Sequence, residues 1–230
     1  MYQIKIVLLS PIETKIQIKV KLMLLVENLS IRFGEENVIE HFSCHIKKGE
    51  WACVVGKSGC GKTSLLKAFI GLTPTVGGTI MVDGVKMNEF TCEYVRKKTV
   101  YLPQDLAFPN ETVRELVNHT IRMGEGVKNV QSSTDLLHEN MALLDVGVDL
   151  LEKSVSEVSG GQRQRIILAA LSVRNKKIWL LDEPTAALDA ESRNRVMEFL
   201  QVQQRKGTTI VAVSHDSNFI SGCSNVISLE

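Results

Sequence analysis

Apolar residues along this chain fall into short unbroken runs and into longer stretches with helical spacing. Trp51-Ala52-Cys53-Val54-Val55, Thr99-Val100-Tyr101-Leu102, Ile178-Trp179-Leu180-Leu181 and Ile210-Val211-Ala212-Val213 are near-continuous runs, the pattern of strands buried on both faces. Residues 64–70, 162–173 and 190–204 carry apolar side chains at helical intervals. Strands alternating with helices predict an α/β fold with a mostly parallel core sheet. Residues 24–31 and 38–46 read as two further strands around Arg32-Phe33-Gly34, an antiparallel β subdomain beside that core. Gly77-Gly78-Thr79-Ile80-Met81-Val82-Asp83-Gly84 reads as a hairpin with glycine turns at each end. From residue 110 to about 158 the chain is more polar and helical, with one helix expected over 111–123 and a second over 134–144. This stretch, about 105–160, is expected to be an inserted helical subdomain. Residues 1–22 alternate only loosely, as in Ile16-Gln17-Ile18-Lys19-Val20. They allow an extra edge strand, or a leader ahead of a working start at Met23 and a domain over 23–230.

Composition narrows the setting. At 230 residues the chain is long enough for a sizeable core, and 44% hydrophobic with 23% charged residues excludes a disordered chain. A formal net charge of +1 gives no global field for nucleic acid or an acidic membrane surface. The basic groups Lys47-Lys48 and Arg96-Lys97-Lys98 are expected to be solvated faces. Cys44, Cys53, Cys60, Cys92 and Cys223 form no C-x-x-C pair, so neither a zinc site nor a disulfide framework is signalled. A reduced, cytosolic setting fits. His41 and His45 have the spacing of a metal pair on a helix, but their segment reads as strand. No apolar run approaches the roughly 18 residues of a membrane span, and Ile6-Val7-Leu8-Leu9 ahead of Pro11 is too short for a signal-peptide core.

The chemistry centres on Gly56-Lys57-Ser58-Gly59-Cys60-Gly61-Lys62-Thr63, which fits G-x-x-x-x-G-K-[ST] between a strand and a helix. The glycines let the backbone take conformations closed to residues with a β-carbon, so several N–H groups converge on one anion. A helix N-terminus behind them adds partial positive charge. In this arrangement Lys62 reaches the β- and γ-phosphates of a nucleoside triphosphate and the Thr63 hydroxyl binds Mg²⁺.

Asp182 and Glu183 end the apolar 178–181 strand, and ligands of a parallel sheet gather at the carboxyl ends of its strands. Asp182 is suited to hold Mg²⁺, and Glu183 to orient or deprotonate an attacking water. Gln104 and His215 follow two other strands. By chemistry alone each reads either as a loop residue or as a ligand, Gln104 of the metal or water and His215 of the γ-phosphate. Ser159-Gly160-Gly161-Gln162 opens a helix and makes a second anion site without a lysine. The two anion sites either meet within one chain or complete each other across a symmetric pair.

In that order the motifs resemble the nucleotide-binding subunit of an ATP-binding cassette (ABC) transporter, over about residues 24–229. The phosphate loop resembles Walker A with Ser64 directly behind it. Gln104 stands at the Q-loop position, Ser159-Gly160-Gly161-Gln162 at the signature, Asp182-Glu183 at Walker B with its catalytic glutamate, Ala187-Leu188-Asp189 at the D-loop and His215 at the switch histidine. Phe33 stands where the family stacks an aromatic on adenine. Val158 replaces a commoner Leu, and Ala170 stands where an Arg is frequent. The resemblance implies a P-loop ABC-type ATPase that uses ATP and Mg²⁺. It further implies a homodimer or heterodimer of cassettes paired head to tail, with Ser159 and Gly161 facing the partner's Lys62, Thr63, Asp182 and Glu183 positions. Separate transmembrane permease subunits are implied, with the chain peripheral on the cytoplasmic face of the membrane, and no nucleic acid. The alternative is a soluble ABC ATPase acting on DNA or ribosomes. Those relatives carry long coiled-coil insertions or two cassettes per chain, and this sequence has neither pattern.

Overall fold

The computed structural model describes residues 21–105, 112–122 and 130–229, with only the backbone described at 130–132. Nine strands form two sheets among them. β1 (Leu22–Phe33) and β2 (Glu36–Lys47) make a long antiparallel hairpin that turns at Gly34. β4 (Gly77–Val82) pairs with the other side of β1, and β5 (Val85–Lys86) pairs with β4, giving the order β2-β1-β4-β5. The expected strand boundaries at residues 24 and 38 therefore extend, and β1 already begins at Leu22. Residues 1–20 of the expected leader or edge strand lie outside the described residues.

The glycines of the expected hairpin do two different things. Asp83-Gly84, with φ of 50° and 79°, is a turn between β4 and β5. Gly77-Gly78 is no turn: both residues lie inside β4, where Gly77 pairs with Ser30. Gly78 stands at φ 86°, and a β-carbon on it would fall 2.4 Å from Asn28 O, so a left-handed backbone and the close approach of two strands together demand glycine there.

The second sheet holds β3 (Trp51–Val55), β6 (Thr99–Leu102), β7 (Ile178–Asp182), β8 (Thr209–Val213) and β9 (Asn225–Ser228) in the order β6-β7-β8-β3-β9, every pair parallel. All five residues of β7 and of β8 are buried, which explains why they read as unbroken apolar runs. Successive side chains alternate between two cores. Trp51, Cys53, Leu102, Trp179, Leu181, Ile210 and Ala212 face one, while Ala52, Val54, Leu180, Val211 and Val213 face the other.

The helices are α1 (Lys62–Ala68), α2 (Cys92–Lys98), α3 (Val113–Arg122), α4 (Val130–Leu143), α5 (Gly160–Val173), α6 (Ala190–Arg205) and α7 (Ser217–Ser221). The ends of the expected 111–123 helix lie outside the described residues, and the second expected helix starts earlier, at Val130. α3 and α4 pack on α5, and their Val113, Leu116 and Met141, with Leu144 just past α4, share one core with the parallel sheet. Buried Asn140 Nδ2 donates to Ser172 Oγ of α5 at 2.7 Å and fixes the register of that contact.

The basic groups are not merely solvated. Lys48 and Lys98 both pair with Asp83, which clamps the β2–β3 turn and the end of α2 to the β4–β5 turn. Arg96 donates to Ile70 O and Gly71 O, both at 2.8 Å, and so caps the carboxyl end of the α1 segment. Short range hid this: the acceptors lie about 25 residues away in sequence.

Candidate active site

Sheet register brings the candidate residues to one edge. Val54 of β3 pairs with Val213 of β8, Val213 pairs with Asp182 of β7, and Leu181 pairs with Leu102 of β6. The chain leaves these strands at Gly56, His215, Glu183 and Gln104, all on the carboxyl side of the sheet.

The loop after β3 folds around its own lysine. Lys62, 6% exposed, donates from Nζ to Gly56 O at 2.9 Å and Lys57 O at 2.6 Å. Ser58 and Gly59 lie exposed at the loop tip, and Cys60 N donates back to Lys57 O at 3.3 Å. Gly61 is the N-cap of α1 at φ 95°, with no side-chain cap. A β-carbon there would lie 2.6 Å from Val38 Cγ1, so β2 closes on the loop just where α1 begins. Ile39, also against Gly61, pairs with Ile31 two residues before Phe33, and the half-exposed Phe33 pairs with Glu36 at the hairpin tip.

Asp182 is 1% exposed. Tyr101 Oη donates to its Oδ2 at 3.4 Å, while its Oδ1 is buried without a hydrogen-bond partner. Burial pushes its carboxyl above the ordinary range, and Thr63, Tyr101 and more distantly Lys67 and Lys62 pull the other way. An orphaned buried carboxylate oxygen beside Thr63 is a donor set of the kind a hard divalent cation takes.

Glu183 follows at φ 49°, a left-handed conformation that costs a non-glycine residue roughly 1–2 kcal/mol. Its N–H donates to Val213 O at 3.0 Å. Its carboxylate, largely buried, reaches His215 Nε2 at 3.4 Å, while the imidazole is 54% exposed. Burial raises the Glu183 pKa first, and His215 opposes it. Gln104 is exposed two residues beyond β6, and among the described residues no hydrogen bond joins it to Asp182 or Glu183.

The second expected anion site lies at the start of α5. Ser159 is its N-cap, with Gln162 N donating to Ser159 Oγ at 3.1 Å and Ser159 N donating to Gln162 Oε1 at 2.9 Å, a capping box. Ser159 and Gly160 are exposed, while Gly161 packs on the Ala187 backbone and the Leu188 side chain, 3.0 Å from Ala187 O for an added β-carbon. Asp189 caps α6, accepting from Ser192 N at 2.8 Å. No hydrogen bond among the described residues joins Ser159 to the phosphate loop.

Contacts that periodicity did not signal complete the site. Tyr101 was visible only as strand filler. Gln164 Nε2 donates to Glu183 O at 3.0 Å from inside α5. Arg193 Nε lies 2.6 Å from Asp216 Oδ2, tying α6 to the residue after His215, and Asp216 in turn caps α7. A polar residue at a core position of a helix, as Gln164 is, was the one available clue.

A glycine phosphate loop at the carboxyl edge of a parallel sheet, with an acid pair at the end of the next strand but one along the same edge, defines a P-loop nucleotide-binding domain. The finer class follows from comparison: residues 39–186 match the family model of the ABC transporter, and the chain belongs to that family. It is 35% identical over 196 residues to the Spermidine/putrescine import ATP-binding protein PotA of Chromobacterium violaceum, covering 84% of this chain and 53% of that protein. It is 32% identical over 211 residues to the Energy-coupling factor transporter ATP-binding protein EcfA1 of Oenococcus oeni, covering 88% and 74%. The chain thus spans about half the length of the first of these relatives. Among solved structures, a dimeric ATP-binding cassette in a post-hydrolysis state bound to ADP and Pi superposes with a TM-score of 0.80 at 26% identity, covering 90% of this chain and 94% of that one.

Proposed function

We propose that this chain is the ATP-hydrolysing subunit of a membrane ABC transporter, coupling ATP binding and hydrolysis to translocation by separate membrane subunits. The observation that carries the reading is the strand-end acid pair: Asp182 with one orphaned buried oxygen, and Glu183 against His215, both in register with the Lys62 loop. The backbone N–H groups of residues 56–63 and the Lys62 ammonium hold the phosphates. Thr63 and Asp182 hold Mg²⁺, with Gln104 as a further ligand once the site closes; the ion would neutralise charge developing on the phosphate oxygens. Glu183 accepts the proton of the attacking water, giving ADP and phosphate, and His215 steadies that carboxylate and donates to the γ-phosphate. Phe33 stacks on the base.

The Ser159-Gly160-Gly161-Gln162 corner, exposed at Ser159 and Gly160, is placed to meet the nucleotide of a second cassette, homologous or identical, and the dimeric ADP-bound neighbour supports such pairing. No helix among the described residues is long and apolar enough to cross a membrane. In this reading other subunits supply the crossing, and the chain sits on the cytoplasmic face. The names of the import and energy-coupling relatives support that role. The domain is proposed to run from about residue 23, with residues 1–22 an extension.

The test is phosphate release from Mg²⁺-ATP by the purified chain, alongside Glu183→Gln and an EDTA control. Release that needs both the metal and Glu183 supports the reading. Release indifferent to Glu183 would remove it from the role of base, and none at all, alone or with its membrane partners, would end the ATPase reading.

A further inference from the structure

The backbone of Glu183 is held from three directions. Its N–H is tied to Val213 O at the end of β8. Its carbonyl accepts from Ala186 N at 3.3 Å in the turn that follows, and from Gln164 Nε2 at 3.0 Å. Only the last of these reaches out of the sheet and its turn, to a helix nineteen residues earlier in the chain. A left-handed non-glycine backbone, at φ 49°, persists where its surroundings over-determine it.

Packing does not call for a glutamine at this place. Gln164 is 5% exposed and shares its face of α5 with Ile167, Leu168 and Leu171, all buried. An apolar residue would continue that stripe. Instead the amide leaves its Oε1 buried without a partner, which costs stability. Such a group is better explained by its one donor than by its fit.

We propose that Gln164 is a positioning residue that fixes the carboxylate of Glu183 to the N-terminus of α5. This rests on the proposed function, in which Glu183 is the base and Ser159-Gly160-Gly161 meets the nucleotide of a second cassette. α5 begins at Gly160, and Gln164 lies one turn inside it. A shift of α5 is passed through the amide to the 183 peptide and so to the carboxylate that reaches His215. Engagement of α5 by the partner's nucleotide and alignment of this chain's own base thereby become one movement.

The test compares full-length wild type, Glu183→Gln, Gln164→Met and Gln164→Glu in steady-state hydrolysis, nucleotide binding and thermal melting. Activity in the wild type that Glu183→Gln abolishes establishes the underlying reading, and its absence would count against that reading rather than against the positioning role. Gln164→Met keeps length and burial but removes the donor and the orphaned oxygen. It is expected to lower kcat about 10- to 100-fold, with KM and nucleotide affinity within about twofold and Tm not reduced. Gln164→Glu, which sets an acceptor against the Glu183 carbonyl, is expected to lose at least as much kcat. Wild-type kcat in Gln164→Met would overturn the proposal. So would losses of affinity and Tm in step with kcat in both variants, since a structural defect would suffice.

Discussion

Two helix N-termini in this molecule are rich in glycine, and they are built in opposite ways. At α1 the N-cap is a left-handed glycine without a side-chain cap, and a buried lysine lies across the loop carbonyls. At α5 a serine and a glutamine cap each other's backbone, no lysine is present, and the corner is exposed. The first N-terminus spends none of its own side chains on its free amides, so its structure is suited to gripping an anion alone. The second satisfies itself first and has less to offer a ligand. A site made of one of each, from two chains, would bind nucleotide through the first and read the presence of a partner through the second.

That contrast is tested hardest where catalysis and binding separate. Glu183→Gln keeps the shape of the residue and removes the proposed base, so hydrolysis is expected to fall by about 10²- to 10⁴-fold while Mg²⁺-ATP binding persists. Equilibrium binding of a fluorescent ATP analogue, with light scattering for mass, is expected to show an ATP-dependent pair in this variant. A monomer at saturating ATP would undo the two-chain side of the comparison and leave the α1 site standing.

Lys62→Ala should act on the α1 site alone. The ammonium makes charge-assisted bonds of about 1.5–3 kcal/mol each, so nucleotide affinity is expected to drop by roughly tenfold to a hundredfold in titration. The same ammonium donates to Gly56 O and Lys57 O in the nucleotide-free chain, so its melting temperature is expected to fall as well, and the titration is made below that melting range.

Titration of the acid pair has two opposite signs. Burial holds Asp182 and Glu183 above the ordinary carboxylate range of about 4. Between that value and their raised native pKa values the folded chain binds more protons than the unfolded one, so stability is lost as pH rises through this window. Both carboxylates thus destabilise the protein at neutral pH, and Glu183→Gln is expected to melt higher than wild type at pH 8. Activity is expected to run the other way, because Glu183 as the proposed base must be ionised. kcat/KM should fall on the acid side with an apparent pKa above the free glutamate value of about 4.3, and an acid limb at or below that value would contradict the burial argument.

How much of this was legible from sequence follows from range. The unbroken runs of β3, β6, β7 and β8, the glycine loop and the acids after Leu181 carry local signals, and the sheet register only had to bring them to one edge. α2 escaped because just one of its residues, Val95, is buried among charged neighbours, which leaves no stripe. β9 escaped as a short edge strand of half-buried and exposed residues. The Asp83 clamp, Tyr101 against Asp182 and Gln164 under Glu183 join residues 15 to 81 positions apart, and nothing in their own neighbourhoods announces the partner. Gly77-Gly78 misled for the same reason, since the strand that crowds Gly78 is distant in sequence.

The smallest effect expected is the most direct test of α5. Ser159→Ala removes one half of the capping box, and loss of an N-cap side chain costs about 1 kcal/mol. In a chain of this size that lowers Tm by roughly 2–4 °C. Binding of ATP to the monomer should not change, because the phosphate loop is complete without Ser159. In the Glu183→Gln background, ATP-dependent pairing should weaken as well. Stability and pairing are then separated by Ser159→Asp, which keeps an acceptor for Gln162 N but sets a negative charge where the partner's phosphate would approach. Its Tm should return to the wild-type value or above, since an anion at a helix N-terminus is favourable, while pairing is lost. If Ser159→Asp pairs as well as wild type, α5 does not face the nucleotide of a second chain, and the difference between the two helix ends reflects capping alone.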